Sequence, residues 1–245
     1  MPFFFYFDWL YFVLVLPAVL FSLIASARVN STFRKYGSVR NARGMTGADA
    51  ARAVLNANGV SGVRIERVSG ELTDHYDPKT NVIRLSDSVY DAPTPAAVGV
   101  AAHEAGHAVQ YAQNYAPIRF RTAIVRVTNL GSQLSIPMIA LGLIFSSFCT
   151  YGSALGDFFY SVALFGVLLY GLCVVFQLVT LPTEFNASRR AMQAIRGTNL
   201  LTPEEQTGAR RVLTAAAMTY VAALSVTVMQ FLRLLILVTG RRRRD

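Results

Sequence analysis

Three side chains on one short stretch could do chemistry together. In Ala101-Ala102-His103-Glu104-Ala105-Gly106-His107-Ala108, two histidines stand four residues apart with a glutamate directly after the first. On an α-helix, positions four apart lie one above the other, so His103 and His107 can present their imidazoles to one point. Two neutral imidazoles at that spacing supply half of a tetrahedral Zn²⁺ site. Glu104 sits one step round the helix, within reach of a metal-bound water without ligating the metal, where a general base belongs. The chain carries only three histidines, which makes the pairing informative. The competing explanation is a chance match on a helix face, because so few letters of the motif are fixed.

A catalytic zinc site needs a third protein ligand and one open position. A third histidine six residues beyond His107 is missing, since that position is Gln113. His75 is a candidate, although it precedes the helix and could equally contact solvent or substrate. Among the later acids, Asp157 falls in a loop expected on the opposite side of a membrane. Glu205 is accounted for by a capping box with Thr202, Glu204 by the first turn of the same helix, and Asp245 is the terminal residue. Glu184 remains, giving a two-histidine-plus-glutamate set of the thermolysin kind. The alternative is that Glu184 only favours a helix N-terminus.

These residues must be positioned by the elements around them. Thr94-Pro95 offers an N-cap followed by proline at the first helical position, and the small apolar run 96–109 carries the motif. Pro117 is expected to stop that helix. Upstream, Thr46-Gly47-Ala48-Asp49 reads as a capping box opening a helix through about residue 58, closed by Gly59. Alternating patterns at 63–68, 72–76 and 82–85 predict three strands of a small antiparallel sheet. The turn Asp77-Pro78-Lys79-Thr80-Asn81 joins the last two. An exposed edge strand beside the helix could hold an extended peptide by main-chain pairing.

The rest of the chain is apolar. Hydrophobic residues make up 53% and charged residues 15%, with 23 Lys+Arg against 14 Asp+Glu for a net charge of +9. The arginines flank apolar runs, which points to membrane topology and anionic headgroups and away from nucleic acid. Runs at 9–27, 130–148, 158–181 and 212–238 are each long enough to span a bilayer. Aromatic residues Phe3 to Phe7 suit an interfacial belt, and Asp8 with no basic residue before it argues for a retained span over a signal peptide. Arg28, Arg34, Lys35, Arg40, Arg43 and Arg52 after the first span place the next segment in the cytoplasm, and Arg119, Arg121, Arg126, Arg189, Arg190 and Arg196 bracket a hairpin of the second and third. Thr183 is expected to cap a new helix carrying Glu184. The last run is interrupted by Arg233, and one crossing would put Arg241 to Arg244 outside, against the positive-inside rule. Cys149 and Cys173 have no ligand or disulfide spacing and are expected to be bystanders.

The organisation expected is therefore an α+β membrane protein: an N-terminal transmembrane helix (1–27), a cytoplasmic domain with the motif helix (28–129), a transmembrane hairpin (130–181), a cytoplasmic helix with the third ligand (182–211), and a C-terminal transmembrane helix with a basic tail (212–245). The segments HEAGHAVQ, DHYDPKTNVIRLS and LPTEFNASRRA, in that order around a hairpin of spans, resemble the YugP-like membrane zinc metallopeptidases of bacteria, similar in layout to HtpX-type membrane peptidases. The resemblance implies a gluzincin-type zincin-like domain facing the cytoplasm from the bacterial inner membrane. It implies His103, His107 and Glu184 as zinc ligands and Glu104 as base, acting on membrane or membrane-associated proteins. The family position of Asn186 is commonly an acid, and Asn can still accept a hydrogen bond from a ligand histidine through its carbonyl. His75, Tyr76, Arg189 and Arg190 are candidates to stabilise the oxyanion. Two rival readings are a non-catalytic membrane protein with structural zinc, and an intramembrane protease with Asp157 as partner acid.

Overall fold

Helix α3 (Pro95–Ala112) forms where its caps and composition dictate. Thr94 Oγ1 accepts a hydrogen bond from the Ala97 N–H at 3.2 Å, and Pro95 takes the first position, where a missing N–H costs nothing. The helix ends earlier than Pro117 predicts. Asn114 adopts a left-handed conformation (φ +54°), and Pro117 instead falls in the first turn of the next helix, α4 (Ala116–Ser146). The computed structural model describes residues 8–150 and 152–241. The aromatic residues Phe3 to Phe7 and the tail Arg242 to Arg244 lie outside the described residues.

The chain divides into two compact units. One comprises Ile24–Arg119 and Leu181–Tyr220. It holds the C-terminal part of α1 (Leu16–Gly37), then α2 (Gly47–Ala57), β1 (Arg64–Val68), β2 (His75–Asp77), β3 (Val82–Ser86) and α3. It also takes the end of α5 (Ala154–Gly197) and the beginning of α6 (Pro203–Arg241). Thr46 and Asp49 form the expected capping box at the start of α2. Val54, Leu55, Ile83, Leu85, Val98, Ala102, Val109, Ile195 and Leu201 build its core.

The sheet is mixed, not antiparallel as expected. Its order is β1-β3-β2, with β1 parallel and β2 antiparallel to β3. The apolar strand β3, buried along nearly its whole length, is the only one that can be covered on both edges, so it takes the centre and the β2–β3 turn leaves β1 the far edge. Strand β2 is short, begins at His75 and is an edge strand.

The second unit comprises the chain up to Leu23, Phe120–Thr180 and the chain from Val221. Four helices, Tyr11–Gly37, Ala116–Ser146, Ala154–Gly197 and Pro203–Gly240, are long and apolar enough to cross a membrane, and α3 is not among them. A π-helical turn, Tyr11–Val15, leads into α1 just before Pro17, which has no N–H to donate. Within this unit Ile139, Leu143, Ala163, Val167, Leu234 and Val238 pack together, while Leu130, Leu141, Phe165, Leu168 and Leu178 are exposed. Outward-facing leucine and phenylalanine on such helices are what a lipid environment solvates. Cys149 and Cys173 are free thiols.

No new helix starts at Thr183. Helix α5 runs 44 residues through Pro182, so the apolar run 158–181 and Glu184 belong to one helix. Pro182 removes only one backbone donor and does not end the helix.

The arginine that interrupts the last apolar run has a partner. Arg233 Nε and Nη2 donate to Asp8 Oδ1 and Oδ2 at 3.1 and 3.2 Å, and the guanidinium lies 5.5 Å from the Tyr11 ring centroid. Only 4% of the Arg233 side chain is exposed. Removing one member strands a desolvated charge, so Arg233→Leu or Asp8→Leu alone is expected to destabilise by on the order of 3 kcal/mol, whereas the double Leu variant recovers most of the loss. Thermal unfolding of the four proteins in one detergent measures this.

Candidate metal centre

The close approach of α3 to α5 rests on a glycine. A Cβ on Gly106 would come within 2.8 Å of the Ala187 carbonyl oxygen, so only glycine lets the backbones pass at this distance. The crossing brings the histidine face of α3 against Glu184. His103 Nε2 and His107 Nε2 lie 3.3 and 3.4 Å from the same atom, Glu184 Oε2. The rings are edge-on, with centroids 4.7 Å apart and planes at 85°. All three candidate ligand atoms fall within 4.8 Å of one another, and no other such group of histidine, cysteine or acid occurs among the described residues.

These distances are long for hydrogen bonds and suit a shared cation. A tetrahedral zinc with bonds of about 2.1 Å holds its ligand atoms about 3.4 Å apart. The Glu184 residue is only 2% exposed, and a carboxylate so desolvated needs compensating positive charge. Burial pushes the Glu184 carboxyl up, but the two histidines more than offset this and hold it well below the usual carboxylate range. Burial likewise disfavours the His107 imidazolium, yet Glu184 and Glu104 outweigh that and raise its pKa above the ordinary imidazole value. The donor set and its charge therefore fit a divalent ion.

The outer nitrogens of both imidazoles are tied down. His107 Nδ1 donates to Gln110 Oε1 at 2.9 Å, which in the neutral ring makes Nε2, the nitrogen towards Glu184, the one free to ligate. The Gln110 amide nitrogen then donates to the Thr183 carbonyl at 2.8 Å and to Asn186 Oδ1 at 2.9 Å. His103 Nδ1 lies 3.1 Å from Ser188 Oγ. Asn186 therefore does not accept from a ligand histidine, contrary to expectation. Its Oδ1 accepts from Gln110, so it reaches His107 only through that residue, whereas Ser188, four beyond Glu184, stacks on the same face. Gln110 and Ser188 were not assigned roles by sequence reasoning. The available signal for Gln110 was its place three residues after His107 in an otherwise apolar helix.

Glu104 Oε2 accepts the Tyr76 N–H at 3.0 Å, which ties the candidate base to edge strand β2. Beside it, Asp74 is bonded to Ser86 N and Oγ; burial and the Glu104 charge nonetheless raise its pKa. The other candidates are distributed differently. His75 is exposed on β2, with Nδ1 2.8 Å from the Thr73 carbonyl, and does not join the ligand group. Tyr76 Oη donates to Asn81. Arg190 donates to Asn186 and Gln113 and stacks near Tyr115, so it braces α5 against the end of α3. Arg189 is exposed.

Gln110 offers a direct check on the geometry. Gln110→Leu removes the His107 acceptor and the amide donor to the Thr183 carbonyl, and zinc affinity is expected to fall about 10- to 100-fold by competition with a chelating dye. Gln110→Glu keeps the acceptor for His107 and should retain more affinity than Gln110→Leu.

Comparison with known proteins gives the family of the chain. Residues 11–239 match the family model described as "putative neutral zinc metallopeptidase". The chain is 40% identical over 233 residues to the "putative membrane protease YugP" of Bacillus subtilis (strain 168), covering 95% of this chain and 98% of that protein. No solved structure matches the chain. A match over nearly the whole length, on a chain whose histidines and glutamate converge as a zinc site requires, places it in a family: this chain belongs to the family of neutral zinc metallopeptidases so described.

Proposed function

We propose that this protein is a membrane-embedded, zinc-dependent endopeptidase in which His103, His107 and Glu184 hold the metal and Glu104 is the general base. The observation that carries this reading is the convergence of two imidazole nitrogens on one buried carboxylate oxygen, with a second carboxylate next in sequence. Zinc bound there supplies Lewis acidity towards water and a peptide carbonyl. Glu104 accepts the proton of the attacking water and returns it to the leaving amine. The Tyr76 N–H holds that carboxylate in place, so the base is oriented by the same strand that forms the sheet edge.

Strand β2 offers that edge for an extended substrate, which would pair by its main chain as an added strand. Arg190 and the Tyr76 hydroxyl are engaged elsewhere, which favours exposed His75 or Arg189 as the oxyanion donor. Glu184 follows the apolar run 158–181 by three residues on one helix, which supports membrane or membrane-associated proteins as substrates. The arginine bias supports a bacterial inner-membrane location with the site facing the cytoplasm. An intramembrane mechanism is disfavoured, since α3 is not among the helices apolar enough to cross a membrane.

Glu104→Gln is expected to bind zinc like the native protein while losing peptide hydrolysis by at least about a hundredfold. Glu184→Ala should instead lose zinc affinity. Activity of Glu104→Gln equal to the native protein would remove the peptidase reading. The pH dependence has a definite sign. Glu184 and Glu104 raise the His107 pKa, so zinc must displace a proton that is held more tightly than on a free imidazole. Zinc affinity should therefore fall with decreasing pH, beginning above the ordinary imidazole value of about 6.5. Titrations of zinc affinity between pH 5 and pH 8 measure this, and an affinity flat across that window would contradict it.

A further inference from the structure

Away from the metal centre, α1 and α6 enclose a groove of about 770 Å³ that the peptidase reading does not use. Arg28 and Lys35 line it from α1, Arg210 and Arg211 from α6. No acidic side chain lines it. On α1 the lining positions 28, 31, 32 and 35 follow the i, i+3, i+4, i+7 spacing of a single helix face. Packed helices normally set apolar residues on such a face. Here it is two cations and two hydroxyls, Ser31 and Thr32, opposite two further cations. Like charges brought together repel unless an anion joins them.

One of these cations is fixed in place. The Tyr36 ring lies against Gly208, where a Cβ would meet Tyr36 Cδ1 at 2.7 Å. The Tyr36 hydroxyl then accepts a hydrogen bond from Arg211 Nη1 at 2.8 Å. A guanidinium held by a packed tyrosine is preorganised for an anion, unlike an arginine that merely reaches into solvent. The groove is also amphipathic. Beyond Arg211 its lining continues along α6 with Thr214, Ala215 and Met218, towards the apolar part of that helix. On α1, Ile24 is 64% exposed one turn before Arg28. Cations and apolar side chains lining one groove match an amphiphile better than a free anion.

We propose that this groove binds the phosphate-bearing headgroup of an anionic phospholipid, with Arg28, Lys35 and Arg211 contacting the headgroup. Basic pockets beside membrane helices recognise anionic headgroups by this chemistry. The site would engage anionic lipid independently of the metal.

The test uses the full-length protein in an uncharged detergent, titrated with phosphatidylglycerol, phosphatidylcholine, glycerol 3-phosphate and inorganic phosphate, with lipid-bound protein read by native mass spectrometry. Phosphatidylglycerol should bind saturably and phosphatidylcholine weakly. Arg28→Gln/Lys35→Gln/Arg211→Gln should weaken phosphatidylglycerol binding by about a hundredfold, roughly five-fold per charge. Its zinc content should remain that of the native protein. Arg28→Lys/Arg211→Lys, which keeps the charge, should restore most of the binding. Should the triple variant fail to fold, Arg28→Gln alone, on an exposed helix face, tests the same claim at about five-fold. A control variant, Arg34→Gln/Arg40→Gln/Arg43→Gln, removes three exposed cations outside the groove and should bind lipid like the native protein. Equal losses in the groove and control variants would overturn the proposal in favour of a diffuse surface field. Unchanged binding in the groove variants would overturn it too, as would inorganic phosphate or glycerol 3-phosphate binding as tightly as the lipid.

Discussion

A buried carboxylate facing two imidazoles across a helix crossing is the constraint on which the rest of this molecule depends. Glu184 is almost wholly removed from water, and without positive charge nearby that burial would be costly. Among the described residues, that charge comes from the face of α3 that carries His103 and His107. The position of α3 along and around its axis is therefore fixed to within a fraction of a helical turn. Thr94 and Pro95 set where the helix begins, and the alanine-rich face packs on α2 and the sheet. Gly106 then sets how near α5 can come, because any side chain there would push the Ala187 carbonyl away. A second contact set, Gln110 to Thr183 and Asn186, pins the rotation of one helix against the other.

Much of this could be read in the residues. The histidine spacing, the caps at Thr94 and Thr46 and the turn before Val82 are local signals, in which side chain and backbone meet within a few positions. The Thr202–Glu205 capping box is of the same kind, and Thr202 N–H does donate to Glu205 at 2.9 Å. Glu184 was reachable by elimination because few acids follow the motif. What was not legible depends on partners distant in sequence. The parallel pairing of β1 with β3 follows from which strand is buried on both edges, and alternation alone does not reveal it. Asp8 and Arg233, 225 positions apart, look like an anti-signal residue and a topological anomaly until they are seen as one bidentate pair.

Helix α5 illustrates a different failure of local signals. Leu181-Pro182-Thr183 has the letters of a helix start, a proline with a threonine beside it. Cap preferences describe what a chain does when it has no reason to continue. Here the residues after Pro182, among them Ala187, Ala191 and Ile195, are buried on helical spacing, and the proline removes only one backbone donor, so the helix continues through it. The continuity matters for the site. A ligand in the middle of a long helix is held by hydrogen bonds on both sides, whereas a ligand in a first turn frays.

The partners of the imidazoles set the charge of the centre. Many zinc-binding histidines are oriented by a carboxylate, which strengthens the ligand and also adds an anion to the site. Ser188 and Gln110 orient His103 and His107 with neutral groups. Directly at the centre, only Glu184 and Glu104 then carry negative charge, enough to balance a divalent ion and no more. A third carboxylate on an imidazole would stabilise the bound cation further but would draw down its ability to polarise what approaches it. In the zinc-bound state proposed above, neutral orienting groups would give up some metal affinity and keep electrophilic strength. Rigidity would recover part of that affinity, since Gln110 is fully buried, its amide nitrogen donating twice to α5 and its oxygen accepting from His107.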